Sequence, residues 1–338
     1  MADVVDDGVR HRRLSGRLSA VKHARFSAAL ACAALTAMVV SGCTSEPKPV
    51  YQEEPAPAAV PTEYDPSLEP SAAALTLVPD SATQLTVTDF DQLRLVLGHG
   101  DLTGASPAAD RADFWRKAPG TATLSLGLLR PDDARLRADF GISHDDVAWE
   151  ASYDGGWVLA FHDTVPMASV QRAVRAGVGR LRGAVVDADR HLVTSSAPPE
   201  VAQSWGARAD LLALVGREAI STYVDRSCLS FDSVFGAGMQ AQLADAPAAA
   251  LRALDELDAY SVALGTELVT VQLGPRRSDA FDRVRLAEVM PPTRPEFGLV
   301  MSRGVADPSS GRLGYTLTDP PGAAELTRTR RLPFAVCG

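Results

Sequence analysis

The sequence predicts an α+β fold for the chain beyond about residue 74, and three observations support that prediction. The segment VAWEASY (147–153) alternates polar and apolar residues, which is typical of a half-buried strand. The tight-turn signal DGG (154–156) separates it from the return strand WVLAFHD (157–163). The following MASVQRAVRAGVGRL (167–181) spaces apolar residues three or four apart, as an amphipathic helix does.

A first half, residues 74–210, and a second half, residues 211–338, share one predicted order of strand, strand, helix, strand, helix. The first half begins with a strand and an Asp-capped helix over 85–98; its strands follow at 147–153, 157–163 and 191–196, and its helices at 167–181 and after Pro198-Pro199. The second half has strands at 259–265, 267–273 and 311–318, and helices at 278–290 and 319–331, the latter also opened by prolines. Two such halves would each expose an apolar sheet face and could bury it against the other. Because this alternation is common in α+β proteins, a coincidental likeness stays an open alternative.

The first 42 residues are typical of an export signal that is removed. Six basic side chains precede FSAALACAALTAMVV (26–40), which is fifteen uncharged and mostly apolar residues. A helix of that length rises about 22 Å, short of the roughly 30 Å hydrocarbon core, so a membrane-spanning helix is the weaker interpretation. The run ends at Val40-Ser41-Gly42-Cys43, and the chain then turns polar.

This ending resembles the lipobox of bacterial lipoproteins, and the layout of the whole chain is similar to that of uncharacterised lipoproteins of actinobacteria. The resemblance implies that a diacylglycerol is attached to the Cys43 thiol and that the signal is cut just before this residue. Two acyl chains supply the multi-chain anchoring that a single chain cannot. The alternatives are a chance cysteine after an ordinary signal and a short membrane anchor.

Residues 43–73 are predicted to be a lipidated, solvated spacer. From Thr44 to Ala73 the chain holds seven prolines, and six acidic residues against Lys48 give a charge of −5. Proline removes backbone donors and like charges repel, so an extended conformation is favoured. About 30 residues at about 3.1 Å each could reach roughly 90 Å. The alternative is a disordered tail of no particular reach.

The four cysteines divide by position. Cys32 lies inside the signal and Cys43 is the predicted lipid site, which leaves Cys228 and Cys337 in the folded body. In an oxidising export context two remaining thiols are predicted to pair, closing a loop of about 110 residues. Two unrelated buried thiols are the alternative.

Charge and motif content exclude some classes of function and single out few residues. The chain carries −9, and residues 1–42 contribute +3, so the remainder carries −12, which disfavours nucleic-acid binding. No histidine pair has helical zinc spacing, neither body cysteine has a CxxC partner and no GxSxG motif is present, so no metal or other cofactor is predicted. His144 and His162, each followed by aspartate, are weak catalytic candidates whose alternative role is in a solvated turn or cap.

The sequence therefore predicts a secreted lipoprotein held at the outer face of the cell membrane by its lipid. Its predicted role is that of a non-enzymatic binding or accessory module, whose partner is an envelope protein or a small molecule. The alternative is an envelope hydrolase with a noncontiguous site that uses His144 or His162. A hydrolase should bring one of these histidines next to a nucleophile or carboxylate in a cleft, whereas a binder should show a groove or an exposed patch.

Overall fold

Ten antiparallel strands form one sheet in the computed structural model, which describes residues 60–239, 254–290 and 295–337. The strands are β1 (Gln84–Asp89), β2 (Val147–Tyr153), β3 (Gly156–Phe161), β4 (Val185–Asp187), β5 (Leu192–Thr194), β6 (Ser221–Asp225), β7 (Tyr260–Leu264), β8 (Leu268–Gln272), β9 (Met301–Asp307) and β10 (Arg312–Leu317). Their order across the sheet is β4-β5-β3-β2-β1-β6-β7-β8-β10-β9. Together with the helices below, this sheet confirms the predicted α+β fold.

Ten α-helices accompany the sheet in the described part of the chain. They are α1 (Pro70–Ala73), α2 (Phe90–Val96), α3 (Ala108–Lys117), α4 (Asp133–Phe140), α5 (Met167–Arg175), α6 (Ala209–Leu212), α7 (Phe231–Phe235), α8 (Ala280–Glu288), α9 (Phe297–Val300) and α10 (Pro320–Arg328). Two of these helices begin at a capping aspartate. The Asp89 carboxylate accepts the Gln92 amide at 2.9 Å to cap α2, and Asp319 accepts the Gly322 amide at 3.1 Å to cap α10.

The strand order reads the same from both edges, with β1 and β6 paired at the centre. A single row of cross-strand partners follows this order through all ten strands: Val185, Thr194, Val158, Ala151, Val87, Thr222, Ala263, Thr270, Gly314 and Val305. The first five residues of the row lie in β1–β5 and the last five hold the equivalent places in β6–β10. The two halves therefore repeat one register, while their origin by duplication stays a prediction.

The loops between the last two strands of each half also correspond. His191 and Gly311 precede β5 and β10, and both have left-handed backbones, with φ of 53° and 62°. Each offers its carbonyl to the end of the preceding hairpin: Phe161 N donates to His191 O, and Leu273 N donates to Gly311 O, both at 2.9 Å. The positive φ is easy for glycine and uncommon for histidine, so the turn geometry, rather than the residue type, is what the halves share.

The halves join edge to edge, so the expectation that they bury their sheet faces against each other is wrong. On one side of the sheet, helices cover both halves. In the first half Phe90 and Val170 pack over Leu159, and in the second half Leu286 and Phe334 belong to the cluster that holds the strands β7, β8 and β10. On the opposite side only the first half has a third cluster, in which Leu75 and Trp205 belong with Val87 and Ala151.

The folded body begins earlier than residue 74. Tyr64 is 7% exposed and belongs to the third cluster, and Ser71 and Ala73 in α1 are buried. The last ten residues assigned to the spacer are therefore part of the packed structure, because α1 and the turn after it supply apolar cover for the sheet.

The segment after Pro198-Pro199 does not form the predicted helix. It makes two short 3₁₀ turns, Val201–Gln203 and Trp205–Ala207, before the four-residue α6. Trp205 is fully buried, and the Gly206 backbone lies so close to Thr76 that an added Cβ would be 2.8 Å from its methyl group. Inserting the indole into the third cluster outweighs the helical preference of the segment.

The predicted disulfide is present. Cys228 and Cys337 are bonded, with Cα atoms 4.9 Å apart and a sequence separation of 109. The bond ties the segment after β6 to the C-terminal end of the described chain, where Cys337 N also donates to Leu229 O at 2.9 Å.

Candidate functional site

The predicted signal and lipid site lie outside the described residues. Cys43 and the export signal before it precede residue 60, where the description begins. Within the described ranges, no helix is long and apolar enough to cross a membrane. The lipid anchor therefore stays a prediction from the sequence.

His144 lies in a 3₁₀ turn just before β2 and is fully buried. Its ring meets the Phe90 ring edge-on, with centroids 4.6 Å apart, and the Gly127 backbone leaves no room for a Cβ beside it. Neither ring nitrogen has a hydrogen-bond partner among the described residues. The nearest carboxylate oxygen, Glu150 Oε2, is 3.9 Å from His144 Nε2, which is too far for a hydrogen bond.

Glu150 projects from β2 into the same buried region. It accepts hydrogen bonds from the Ser125 hydroxyl and from the Leu128 amide, the latter at 2.9 Å. Burial raises the pKa of Glu150 to about 7, and burial followed by the nearby Arg94 charge lowers the pKa of His144 well below its ordinary value. Glu150 therefore keeps its proton to a higher pH than an exposed glutamate, and its hydrogen bonds fasten the loop around residues 125–128 over the sheet.

The two aspartates after His144 are structural as well. The Asp145 carboxylate accepts the Trp115 indole N–H at 2.6 Å and pairs with Arg137 at 2.5 Å. Asp146 accepts the Ser143 amide at 2.8 Å and so completes a capping box. The His-Asp-Asp run is therefore a buried anchor for its turn, neither a solvated turn nor an open catalytic group.

Of the two candidate histidines, only His162, which follows β3, forms a hydrogen bond with a carboxylate in the described residues. Its Nε2 lies 2.8 Å from Asp91 Oδ1 and 3.5 Å from the Arg94 guanidinium. This group is on the surface, with half of the Asp91 side chain exposed. No hydroxyl or thiol in the part of the chain that the structure describes hydrogen-bonds to His162, so a nucleophile–base pair is not assembled here.

The described residues contain no cluster of side chains that could hold a metal ion. Over residues 60–239, 254–290 and 295–337, no three histidine, cysteine, aspartate or glutamate side chains are grouped as a metal would require.

An open sheet face in the second half is the candidate site, and sequence reasoning missed it. We call "the open face" the side of β7, β8 and β10 that carries Ala263, Thr270, Gln272, Arg312 and Gly314. Residues alternate across a strand and cross-strand partners point the same way, so the pairings Ala263–Thr270–Gly314 and Gln272–Arg312 place all five together. The same side of the first half is covered by the third cluster.

The open face forms the floor of a groove of about 510 Å³. Ala263 and Thr270 lie at its base, the loop Gly216–Glu218 forms one bank, and the hairpin turn Gly265–Leu268 forms the other. Leu268 is 62% exposed there. The groove has the size of ordinary small-molecule sites, though it is more open than an enclosed pocket.

One arginine, Arg217, lines this groove. A second, Arg312, lies on the open face beside Gln272 but outside the lining of the groove. Neither guanidinium has an ion pair or hydrogen bond within the described residues. Burial first and the Arg312 charge second lower the pKa of Arg217. Two carboxylates also line the groove: Glu267 lies in the hairpin turn, and Glu218 accepts a hydrogen bond from Gln92 at 2.8 Å.

Two buried polar atoms on the open face also lack partners in the described structure. They are Arg312 Nε, a donor, and Gln272 Oε1, an acceptor. Gln272 is only 8% exposed, and its amide nitrogen already donates to Ser310 O at 2.6 Å. Buried polar groups are usually satisfied, so these two mark a place where a polar ligand would complete the structure.

Comparison of the chain with known protein families, with curated proteins and with solved structures found no match.

Proposed function

We propose that this protein is a lipid-anchored lipoprotein of the cell envelope and that it acts as a non-enzymatic binding module, with its ligand in the groove over the open face. The observation that carries the binding role is the groove itself, since it combines a concave shape, a volume of about 510 Å³ and an arginine, Arg217, that has no ion pair within the described residues. The anchor is supported by the lipobox-like Val40-Ser41-Gly42-Cys43 and the export signal before it.

The hydrolase alternative has less support. His144 is fully buried and its ring nitrogens have no hydrogen-bond partner in the described residues. His162 bonds a carboxylate at the surface, without a nucleophile in the same part of the chain. A catalytic site of that kind needs the base, the nucleophile and a place for substrate within bonding reach.

The anchor is tested by replacing the predicted lipid site. Cys43→Ala should abolish incorporation of a labelled fatty acid and release the protein from the membrane fraction. Cys32→Ala is the matched control, because this cysteine lies inside the apolar run of the signal and should leave acylation unchanged. Retained acyl label in the Cys43→Ala variant, or an unprocessed chain in the wild type, would contradict the lipoprotein assignment.

The binding role is tested on the full chain extracted from its native membrane. Mass spectrometry under non-denaturing conditions should find a co-purifying small molecule at near-stoichiometric amount. Thr270→Trp fills the floor of the groove and should lose that mass, while Phe281→Trp, on the exposed surface of α8, should keep it. A molecule retained equally by both variants would place the ligand elsewhere.

A further inference from the structure

A cluster of exposed arginines lies on α5 and the turn that follows it, and we call it "the arginine patch". Between residues 164 and 186 the chain holds no aspartate or glutamate, although residues 43–338 carry −12. The same stretch holds four arginines, all of them exposed: Arg172, Arg175, Arg180 and Arg182. The patch is therefore a positively charged area on an acidic body.

The protein itself does not neutralise these charges. Surface arginines elsewhere, such as Arg328 and Arg208, lie against carboxylates at 2.8 Å and 3.0 Å. None of the four patch arginines forms an ion pair within the described residues, and the Ser169 hydroxyl, which accepts from Arg172 at 2.9 Å, is uncharged. Four unpaired positive charges on one surface create a potential that attracts an external anion.

The elements around α5 offset little of this charge. Helix α4, which packs against α5, holds two aspartates and two arginines and so carries no net charge. The carboxylate of Asp132, just before α4, lies against the backbone of Gly179 and offsets one of the four charges. Beyond the turn, Asp187 pairs with Arg190 at 3.7 Å.

The patch lies in the half of the sheet where the chain from the predicted lipid site enters the folded body. Tyr64 belongs to the third cluster, as does Leu192 of β5. Leu181, which lies within the patch, belongs to the cluster on the other side of the sheet, as does Val193 of β5. An anchor that holds the chain before Tyr64 at a membrane therefore holds this half of the sheet near that membrane.

The spread of the charges suits a surface better than a single small anion. Arg172 and Arg175 are about one turn apart on the outside of α5, and the other two arginines lie in the following turn, so the charges form an area without a pocket. Each basic residue close to an anionic lipid surface adds to the attraction, which falls off within a Debye length. A short tether raises the effective concentration of the surface to which it is fixed.

We propose that the arginine patch is a contact surface for anionic lipid headgroups and holds the first half of the body on the membrane to which Cys43 is anchored. This inference rests on the proposed lipid anchor and adds a second, electrostatic contact to it. The groove over the open face includes no residue of the patch, so its ligand and the membrane occupy different surfaces.

The test uses the full lipidated protein reconstituted into two kinds of vesicle, phosphatidylcholine alone and phosphatidylcholine with phosphatidylglycerol. Phenylglyoxal modifies accessible arginines, and mass spectrometry of the peptides measures the rate at each one. The patch arginines should react about threefold more slowly, or slower still, on the anionic vesicles, and high salt should remove this protection. Arg285, which is 72% exposed in its side chain on α8 of the second half, should react equally on both.

A double variant tests the patch itself. Arg172→Gln with Arg175→Gln should restore the reactivity of the two remaining patch arginines on the anionic vesicles, because half of the attracting charge is gone. The matched control, Arg285→Gln with Arg303→Gln, removes the same charge from exposed positions in the second half and should keep the protection. Circular dichroism and the melting temperature confirm that both variants are folded.

The outcomes that overturn the proposal are distinguishable from failure of the anchor. Equal rates for the patch arginines on the two kinds of vesicle, or an equal slowing of Arg285, would show that the patch does not contact anionic lipid. Protection in native envelope membranes but not on the anionic vesicles would make the partner an acidic protein. Protein that does not stay on the neutral vesicles would contradict the anchor, whereas retention there without protection on the anionic vesicles would leave the anchor standing and make only the patch inference wrong.

Discussion

Glu150 and His144 show how burial sets the charge state of single residues. Glu150 keeps its proton to a higher pH in the folded chain than in the unfolded chain, because its pKa is raised from 4.5 to about 7. Its stabilising contribution is therefore complete below about pH 4.5 and is lost as the pH rises to about 7. His144 acts in the opposite sense, since the unfolded chain takes up its proton below pH 6.5 and the folded chain does not.

Replacing Glu150 by glutamine should change the pH dependence of stability. The amide cannot ionise, so the free energy of unfolding of Glu150→Gln, relative to the wild type, should rise by about 2–3 kcal/mol between pH 5 and pH 8. Urea unfolding at a series of pH values measures this difference. Parallel profiles for the two proteins would show that Glu150 ionises in the folded state at its ordinary pKa.

The sequence identified His144 as a candidate residue but could not predict that its side chain is buried. The residue is buried by the Phe90 ring, the Trp115 ring and the Gly127 backbone, which come from three separate loops and helices. Only the fold brings them together, so no local spacing could reveal it. The burial of Glu150 was equally unpredictable, because one carboxylate in an alternating strand is typical of a solvent-facing position.

Helix α8 shows how one element holds a distant segment. Arg283 is fully buried, and its guanidinium donates to Phe334 O at 2.9 Å, to Val336 O at 2.8 Å and to the Asp279 carboxylate at 2.6 Å. Asp279 is the N-cap residue of this helix, yet its carboxylate pairs with Arg283 and makes no cap hydrogen bond. The two hydrogen bonds from Arg283 to the carbonyls of Phe334 and Val336 join α8 to the C-terminal segment.

Removing this arginine should be costly. Arg283→Met leaves the Asp279 charge buried with less compensation and two carbonyls without donors, so the free energy of unfolding should fall by roughly 3–5 kcal/mol. Arg285→Met, two residues along the same helix and 72% exposed in its side chain, should change it by less than about 0.5 kcal/mol. Chemical denaturation of both variants checks the contrast, and similar losses would show that the buried pair carries no special weight.

The disulfide fastens the same segment by a covalent route. Its loss in the double variant Cys228→Ser, Cys337→Ser frees a loop of 109 residues and should lower the free energy of unfolding by about 2–4 kcal/mol. Reversible urea unfolding of the double variant against the wild type measures this loss. An unchanged midpoint would mean that Arg283 and the packing of Phe334 hold the segment by themselves.

The two hairpins were more predictable than several of the other strands. The hairpins β2–β3 and β7–β8 follow from alternation and turn signals, whereas the central strand β6 and the edge strands β4 and β9 were missed. In β9 the register shifts opposite Tyr315, and Arg303 has a φ of 53°, so a bulge interrupts the alternating pattern. Such an edge is a poor template for pairing with another strand.

The two halves of the molecule have the same strand order, but in the described structure only the first half has both faces of its sheet covered. The halves also share one register. The sequence predicted a common order of strand, strand, helix, strand, helix, but β4, β6 and β9 were missed, and the last helix of the first half does not form. It could not predict the open face, because the first half is covered by residues far away in the chain, Leu75 and Trp205 among them. Polar residues at alternate positions in β8, Thr270 and Gln272, were the available signal and were equally consistent with ordinary solvent exposure.

The burial of Tyr64 sets an upper limit on how far the body can stand from a bilayer. With Cys43 as the lipid site, only residues 44–63 lie between the acyl chains and the first packed side chain. Twenty residues at about 3.1 Å each give a clearance of roughly 60 Å in polyproline geometry, a third less than the full proline-rich stretch implies. If Cys43 carries the lipid, a partner of this protein is expected within about that height of the lipid surface.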